Sequence, residues 1–367
     1  MKFTITREDL LPALQQVVGV IERKQTLPIL SNVLLKLDEH QLELTGTDLE
    51  VQLVTRIAVD ADEPGSLTVP ARKFLDICRL LPERNLVKIE SRQDKFHISC
   101  GSSRFNLSTL PAENYPEFDS GMPEVELSIP VMSIRRALEK TMFAVAQQDV
   151  RYYLNGLLLD LGGQMLRSVA SDGHRLSFFE ETLDVHADSP RQIIVPRKGI
   201  LELNRLLGEG DDTIKMQIAP NNLRVCMGAL SFAAKLIEGR FPDYQRVMPR
   251  DLSRVIVADK NLFKAALTRV SVLSNEKFRG ISLEVDDDGL MCLKAQNPEH
   301  EEAEEKFTVD LQGKGMSVGF NASYLLDALN GVDSEQVKLS FPESSNTCLI
   351  EDAEDHRFKF VVMPMRL

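Results

Sequence analysis

Alternation of apolar and polar residues runs through most of the chain. KFTITR (2–7), LLKLDEHQLELTGTDLEVQLVTRIAV (34–59), VKIESRQDKFHISC (87–100) and RFNLSTL (104–110) all carry the period-two pattern of half-buried strands. A helical period interrupts it six times, predicting helices over 7–24, 70–82, 131–146, 195–207, 259–270 and 320–331. On the first two, Leu10, Leu14 and Val17, and Phe74, Leu75, Ile77 and Cys78, form the faces expected to pack on sheets. Turn residues separate the strands at Asp38–His40, Gly162-Gly163, Ala219–Asn222 and Asp286–Gly289.

The pattern repeats. VPARKFLDICRLLP (69–82) returns as VPRKGILELNRLLG (195–208) and, more faintly, as FNASYLLDALNGV (320–332), a spacing of about 125 residues. Each copy follows an amphipathic stretch and precedes a closing phrase: ENYPEF (113–118), GRFPDY (239–244) and FVVMPMRL (360–367). That period is domain-sized, well beyond the ~20–50 residues of solenoid repeats. The expected fold is therefore α+β, with three similar domains in tandem at 1–122, 123–248 and 249–367. Within each, strand, helix and three strands occur twice, a doubled β-α-β-β-β unit with two helices on an antiparallel sheet. Polar, proline-bearing linkers are expected at 119–126 and 246–254.

Composition narrows the class. The 367 residues are 43% hydrophobic and 27% charged, ordinary for a globular protein. No apolar run approaches the ~20 residues of a membrane span, and MKFTITRED lacks a signal peptide's apolar core. A cytoplasmic location is expected. The five cysteines are odd in number and isolated, so free thiols fit better than a disulfide framework or a zinc site.

The net charge of −12 argues at first against a nucleic-acid partner. However, the six helical stretches together carry +7, so the remainder carries −19. Basic helices within an acidic protein would offer phosphate a tolerant surface if they share one face. Helix propensity of Lys and Arg explains the same numbers.

Catalytic chemistry is thin. Asp172, His174 and either Ser171 or Ser177 lie together in ASDGHRLS, but no nucleophile-elbow glycines surround a serine, and residues so close in sequence rarely form a triad. EHEEAEE (299–305) reads as a solvated or partner-facing stripe, since metal ligands come from separated elements. There is no P-loop, dinucleotide fingerprint or H-E-x-x-H. No cofactor, metal or catalytic residue is assigned.

TLPILSNVLL…LTGTDLE (26–50), VPARKFLDICR, RFNLSTLPA, QDVRYYLNG (148–156), SDGHRLS, IVPRKG, GRFPDY, LSNEKFRG (273–280), NPEHEEAEE and VVMPMRL together resemble the bacterial sliding clamps, the β subunits of DNA polymerase III. The resemblance covers the whole chain. It implies a non-catalytic processivity factor for DNA replication, a head-to-tail homodimer forming a six-domain ring with helices lining the hole. Its implied partners are duplex DNA, bound without sequence preference, the replicative polymerase, the clamp loader, and other polymerases and repair proteins carrying short apolar peptides. Topological retention needs only weak phosphate affinity, which an acidic shell with mildly basic helices suits.

The family's DNA contacts map to Lys24, Arg72, Gln148, Tyr152 and Tyr153; at Lys24 the charge stands without arginine's fork. A peptide cleft between domains two and three would use Leu154, Ser171, Gly173, Leu176, Pro242 and Val247, with His174 as a wall residue and Arg175 and Arg246 on the rim. Phe278, Asn321, Tyr324, Ser345 and Thr347 map to the same cleft, Ser345 making a shallow, polar edge. The tail from Val361 and Val362 through Met363, Pro364, Met365 and Arg366 to Leu367 completes it, and methionines suit a site that accepts many sequences. Phe358, Phe360 and Val362 also read as a last core strand. The dimer seam would join Lys73, Arg104, Phe105 and Leu107 to Val272, Leu273 and the acidic Glu301, Glu302, Glu304 and Glu305. A nucleic-acid-modifying enzyme and a scaffold that never encircles DNA remain the alternatives.

Overall fold

A computed structural model describes residues 1–22, 27–119, 121–208, 212–343 and 345–366, with backbone only at 185–189. The first repeat runs β1 (Lys2–Thr6), α1 (Arg7–Val18), β2 (Asn32–Leu37), β3 (Gln41–Thr47), β4 (Val51–Ala58), β5 (Ala61–Glu63), β6 (Gly65–Pro70), α2 (Ala71–Leu80), β7 (Leu86–Arg92), β8 (Lys95–Cys100) and β9 (Ser103–Ser108). The second runs β10 (Val125–Pro130), α3 (Val131–Glu139), β11 (Gly156–Ser171), β12 (Arg175–Pro196), α4 (Arg197–Leu206), β13 (Thr213–Ile218), β14 (Asn222–Met227) and β15 (Leu230–Lys235). The third holds β16 (Leu252–Asp259), α5 (Lys260–Val270), β17 (Gly280–Val285), β18 (Leu290–Gln296), β19 (Glu302–Thr308), β20 (Asp310–Gln312) and β21 (Met316–Asn321). It continues through α6 (Ala322–Gly331), β22 (Gln336–Pro342), β23 (Cys348–Asp352) and β24 (Phe358–Val362).

All six expected helices form, but most stop early. α1 ends at Val18, although Val20 and Ile21 beyond it are buried and prolong the apolar pattern. The expected helix over 131–146 stops at Glu139 and resumes as a 3-10 turn over Met142–Ala144. Ile77 is only half-buried, whereas Leu10, Leu14, Val17, Phe74, Leu75 and Cys78 are buried as expected. Phe74 meets Phe96 edge to face at 5.2 Å, a contact worth about 0.5–1.5 kcal/mol beyond area burial. At Gly162-Gly163, where a turn was expected, β11 runs on with its register shifted between Leu161 and Met165. Strands begin at Val125 and Leu252, inside the stretches expected as linkers.

Each repeat divides its strands between two antiparallel sheets. Strands β5-β1-β7-β8-β9 make one sheet and β10-β13-β14-β15-β4-β3-β2-β6 a second. Strands β11-β12-β24-β23-β22-β16-β20 and β19-β18-β17-β21 make the other two. Two junctions between repeats are thus hydrogen-bonded strand pairs, β4 with β15 and β12 with β24. The chain accordingly separates into two compact units, Met1–Met132 with Lys198–Leu236, and Ser133–Arg197 with Ile237–Leu367. The second repeat is shared because each of its halves bonds to a different neighbour.

Equivalent positions follow from the ladders. Phe3, Leu127 and Ile256 each lie four residues before a helix, and the ladders from them lead across three strands to Phe105, Phe232 and Phe360. At the two junctions Phe232 pairs with Leu53 and Phe360 with Ser177, at equivalent sites on β4 and β12. The register is the same at both.

Candidate peptide cleft

The turn between β11 and β12 builds one wall. Asp172 Oδ1 accepts hydrogen bonds from the amides of His174 and Arg175, both at 3.0 Å, and this Asx turn places Gly173 at φ 87°. A side chain there would also collide with the Arg151 guanidinium. Arg151 bonds Asp149 through Nε at 3.0 Å and Nη2 at 2.9 Å, and reaches the carbonyl of Asp172 at 3.3 Å. Hydrogen bonds from the Arg151 side chain, then from its backbone, hold Asp149 down to about 2.

Around this turn Leu154, Ser171, Gly173, Leu176, Pro242, Val247, Val361 and Met363 line a cavity of about 220 Å³, together with Arg151, Tyr153, Phe241 and Tyr244. Its floor is an apolar cluster that includes Leu158, Val169, Phe178 and Leu349. Tyr244 packs on Phe178 with ring centroids 5.7 Å apart, and burial pushes its hydroxyl pKa up. The tail is held by main-chain bonds, Met363 N–H to the His174 carbonyl at 3.0 Å and Met365 N–H to the Gly319 carbonyl at 2.9 Å. Sequence reasoning left out Arg151, Phe241 and Tyr244; of GRFPDY (239–244) it named only Pro242 for the cleft.

Several expected roles change. Arg175 lines the cavity but is not a rim residue: its side chain is only 10% exposed. It donates to Asp172 Oδ2 at 3.0 Å, to the Phe143 carbonyl at 2.6 Å and to Asp327, and its guanidinium lies 4.4 Å from the Tyr324 ring centre. Removing one partner of so buried an ion pair costs about 3–5 kcal/mol. Arg246 is exposed, paired with Asp243 at 3.0 Å, and lines an adjoining cavity that shares Tyr153, Phe241, Pro242 and Tyr244 with the first. His174 is exposed and contributes its carbonyl rather than its ring. Val362 is buried without lining the cavity.

Phe278, Met365 and Arg366 border a second cavity of about 880 Å³. Asn321 caps α6 and donates to the Phe278 carbonyl at 3.2 Å. Pro364 and Ser345 are exposed, Thr347 is half-buried, and Leu367 lies outside the described residues.

Of the expected DNA contacts, Lys24 lies outside the described residues. Arg72 is exposed but bonds the Ile21 carbonyl at 2.8 Å, beyond the end of α1, which has no basic residue in its last turn. Gln148 is exposed at φ 57°, beside Val150 and Tyr152, which are also exposed. Tyr153 belongs to the cavity wall, its ring 5.8 Å from that of Tyr152.

At the expected seam, Lys73 and Arg104 are exposed, Phe105 and Leu273 half-buried, and Leu107 buried. Val272 is 76% exposed. The acidic stretch is already partnered: Glu305 with Arg269 at 2.6 Å, Glu304 with Lys306 at 2.6 Å, Glu302 with Gln296 at 2.9 Å and Glu301 with Asn297 at 2.6 Å. Among the described residues no group of His, Cys, Asp and Glu could hold a metal, and no helix is long and apolar enough to cross a membrane.

Three family models match in series: the N-terminal, central and C-terminal domains of the DNA polymerase III beta subunit, over residues 1–119, 128–243 and 245–366. The chain belongs to the DNA polymerase III beta subunit family. It is 48% identical over 368 residues to the beta sliding clamp of Pseudomonas aeruginosa and 47% identical to that of Escherichia coli, covering 100% of each chain in both comparisons. Its structure matches that of the Pseudomonas aeruginosa clamp bound to griselimycin, with a TM-score of 0.96 at 48% identity. For Caulobacter crescentus pol III beta the TM-score is 0.93 at 37% identity; both matches cover 100% of each chain. The three-domain reading of this beta-subunit chain agrees with its three repeats, even though the chain separates into two compact units.

Proposed function

We propose that two copies of this chain close head to tail into a ring around duplex DNA and act as a non-catalytic sliding clamp that keeps polymerases on the template. The observation that carries the ring is a pair of unfilled strand edges. β9 ends one sheet and β19 ends another. These strands are the counterparts of β15 and β24, and of β4 and β12, which pair at the two internal junctions. Extending that register to a second copy sets Phe105 opposite the partner's Ala303 and Arg104 opposite the partner's Glu304. Lys73, Leu107, Val272, Leu273, Glu301, Glu302 and Glu305 fall along the same seam. An antiparallel junction repeated twice per chain closes when the third joins the copies. Domains 1–122, 123–248 and 249–367 then supply six similar bodies to the ring.

Gln148 and Tyr152 are exposed and meet DNA in this reading, as does Arg72, which also bonds the Ile21 carbonyl, with Lys24 and Tyr153 as further contacts. An overall charge of −12 keeps that affinity low, as sliding requires. The cavity at Leu154 takes the apolar side chains of short peptides borne by the replicative polymerase, the clamp loader and repair proteins, with His174, Arg175, Arg246, Asn321, Tyr324, Ser345, Thr347 and the tail around it. The compartment is the cytoplasm, with the chromosome.

Reversing charge at Glu301, Glu302, Glu304 and Glu305 together tests the seam. Sedimentation at low protein concentration should show a monomer, because the partner's Arg104 and Lys73 then face cations. A dimer of unchanged mass would contradict the assignment.

A further inference from the structure

The first and third repeats put a cation at the carbonyl end of their second helix. Arg7, the first residue of α1, donates through Nε to the Cys78 carbonyl and through Nη2 to the Arg79 carbonyl, both at 3.1 Å. Its side chain is only 16% exposed. Lys260, the first residue of α5, donates through Nζ to the carbonyls of Val332 at 3.1 Å and Asp333 at 3.3 Å, just beyond α6. The last carbonyls of a helix lack partners within it and form its negative dipole end, so a cation there answers both needs.

In the second repeat this position is Val131, the first residue of α3. The amides match all three: Arg7 N–H donates to the Asn85 carbonyl at 3.4 Å, Val131 N–H to that of Asp212 at 2.9 Å and Lys260 N–H to that of Glu335 at 2.9 Å. Each acceptor is the residue before a strand, β7, β13 or β22. Valine has no nitrogen to offer α4. Arg205, the base in α4's own last turn, is turned to Glu202 at 2.8 Å and to the Gln16 carbonyl at 3.0 Å. Asn204 is the counterpart of Cys78, and its Oδ1 is buried with no hydrogen-bond partner among the described residues. Space accompanies the missing side chain, a cavity of about 460 Å³, within the ~300–1,000 Å³ of ligand sites. Val131, Leu206, Ile214 and Met227 give it apolar walls, Gly208 lies at the end of α4, and Asp212 brings an exposed carboxylate.

We propose that this cavity binds an alkyl guanidinium, the side chain of arginine, in the place that Arg7 fills from within the chain in the first repeat. The guanidinium meets the carbonyl end of α4 and the Asp212 carboxylate, and its methylenes lie against the apolar walls. A forked donor suits neighbouring acceptors better than an ammonium does, as Arg7 shows with Cys78 and Arg79. The site lies within one repeat, shares no lining residue with the Leu154 cavity, and stands whether or not a ring forms. It is built from described residues; 209–211 lie outside them.

Methionine-methyl NMR of the full-length protein tests the site, with the Met227 signal as reporter. The ligands are L-arginine and the tripeptide acetyl-Gly-Arg-Gly-amide, and the control is L-citrulline, which has arginine's shape without its charge. Arginine should move the Met227 signal saturably at millimolar concentration, and citrulline should bind about tenfold or more weakly. Val131→Arg restores the internal cation and should abolish binding. Asp212→Asn should weaken it about three- to tenfold, with circular dichroism of both variants unchanged. Tripeptide binding as tight as that of arginine would assign the site to a polypeptide's side chain; binding of free arginine alone would assign it to a small molecule. Equal binding of arginine and citrulline, undiminished binding by Val131→Arg, or a Met227 signal unmoved at about 10 mM arginine would each overturn the proposal.

Discussion

Asp352 is 2% exposed, and its carboxylate accepts the backbone amides of Asp333 at 2.8 Å, Ser334 at 3.0 Å, Glu354 at 2.9 Å and Asp355 at 3.1 Å. Burial alone raises its pKa, but the hydrogen bonds outweigh burial and hold it well below the ordinary value. With the folded value below the unfolded one, the stabilisation is complete above about pH 4 and is lost as pH falls through the folded value. Asp352→Asn should cost about 1–3 kcal/mol at neutral pH and flatten the acid limb of stability. Urea midpoints measured between about pH 3 and pH 7 check both, and a variant with the wild-type acid limb would contradict the account. Gly173→Ala meets strain of about 1–2 kcal/mol at its positive φ and displaces Arg151 from the cavity wall. It should lower both the urea midpoint and the affinity for an apolar peptide; wild-type values for both would remove Arg151 from the cleft. Neither effect was legible in the sequence. The resemblance implied Arg175 as a polar rim contact, and only the folded chain shows Asp172, Asp327, Tyr324 and the Phe143 carbonyl converging on it.

At the scale of elements, local patterns located nearly every helix and strand, because burial on one face imposes a period wherever an element forms. They failed where burial continues without the element. Val20 and Ile21 stay buried after α1 has ended, and β11 crosses Gly162-Gly163 by shifting register instead of turning. The division of strands between two sheets was invisible, because register depends on pairing between distant segments. For the cleft, the residues expected from the resemblance came from seven separated stretches; the structure brings those near Leu154 together and sets Phe278, Met365 and Arg366 around another cavity. The tail belongs to this scale, since it touches both cavities and, beyond β24, is tied by the backbone bonds of Met363 to His174 and of Met365 to Gly319. Deleting residues 363–367 should abolish binding of apolar peptides at the Leu154 cavity and leave the dimer intact. A fluorescent peptide that still bound the truncated dimer would refute the tail's role.

For the whole molecule, threefold repetition and division into two units are consistent, because the ladders at two junctions hold adjoining halves of different repeats together. In the proposed ring the third junction joins β9, which ends one sheet, to β19 of a second copy, which ends another. Repetition sets the common register, and the proposed sites fall where the repeats depart from it: the Leu154 cavity at one junction and the acidic β19 edge at another. The helices' surplus of positive charge inside an acidic chain fits a protein that holds DNA by topology, whereas a DNA-modifying enzyme or an ordinary scaffold gains nothing from closure. Retention on DNA tests this most directly. After the protein is loaded by a clamp loader onto a closed circular plasmid and separated by gel filtration, it should travel with the circle in high salt. Cutting the plasmid once should release it. Equal retention on circular and linear DNA, or none on either, would contradict encirclement.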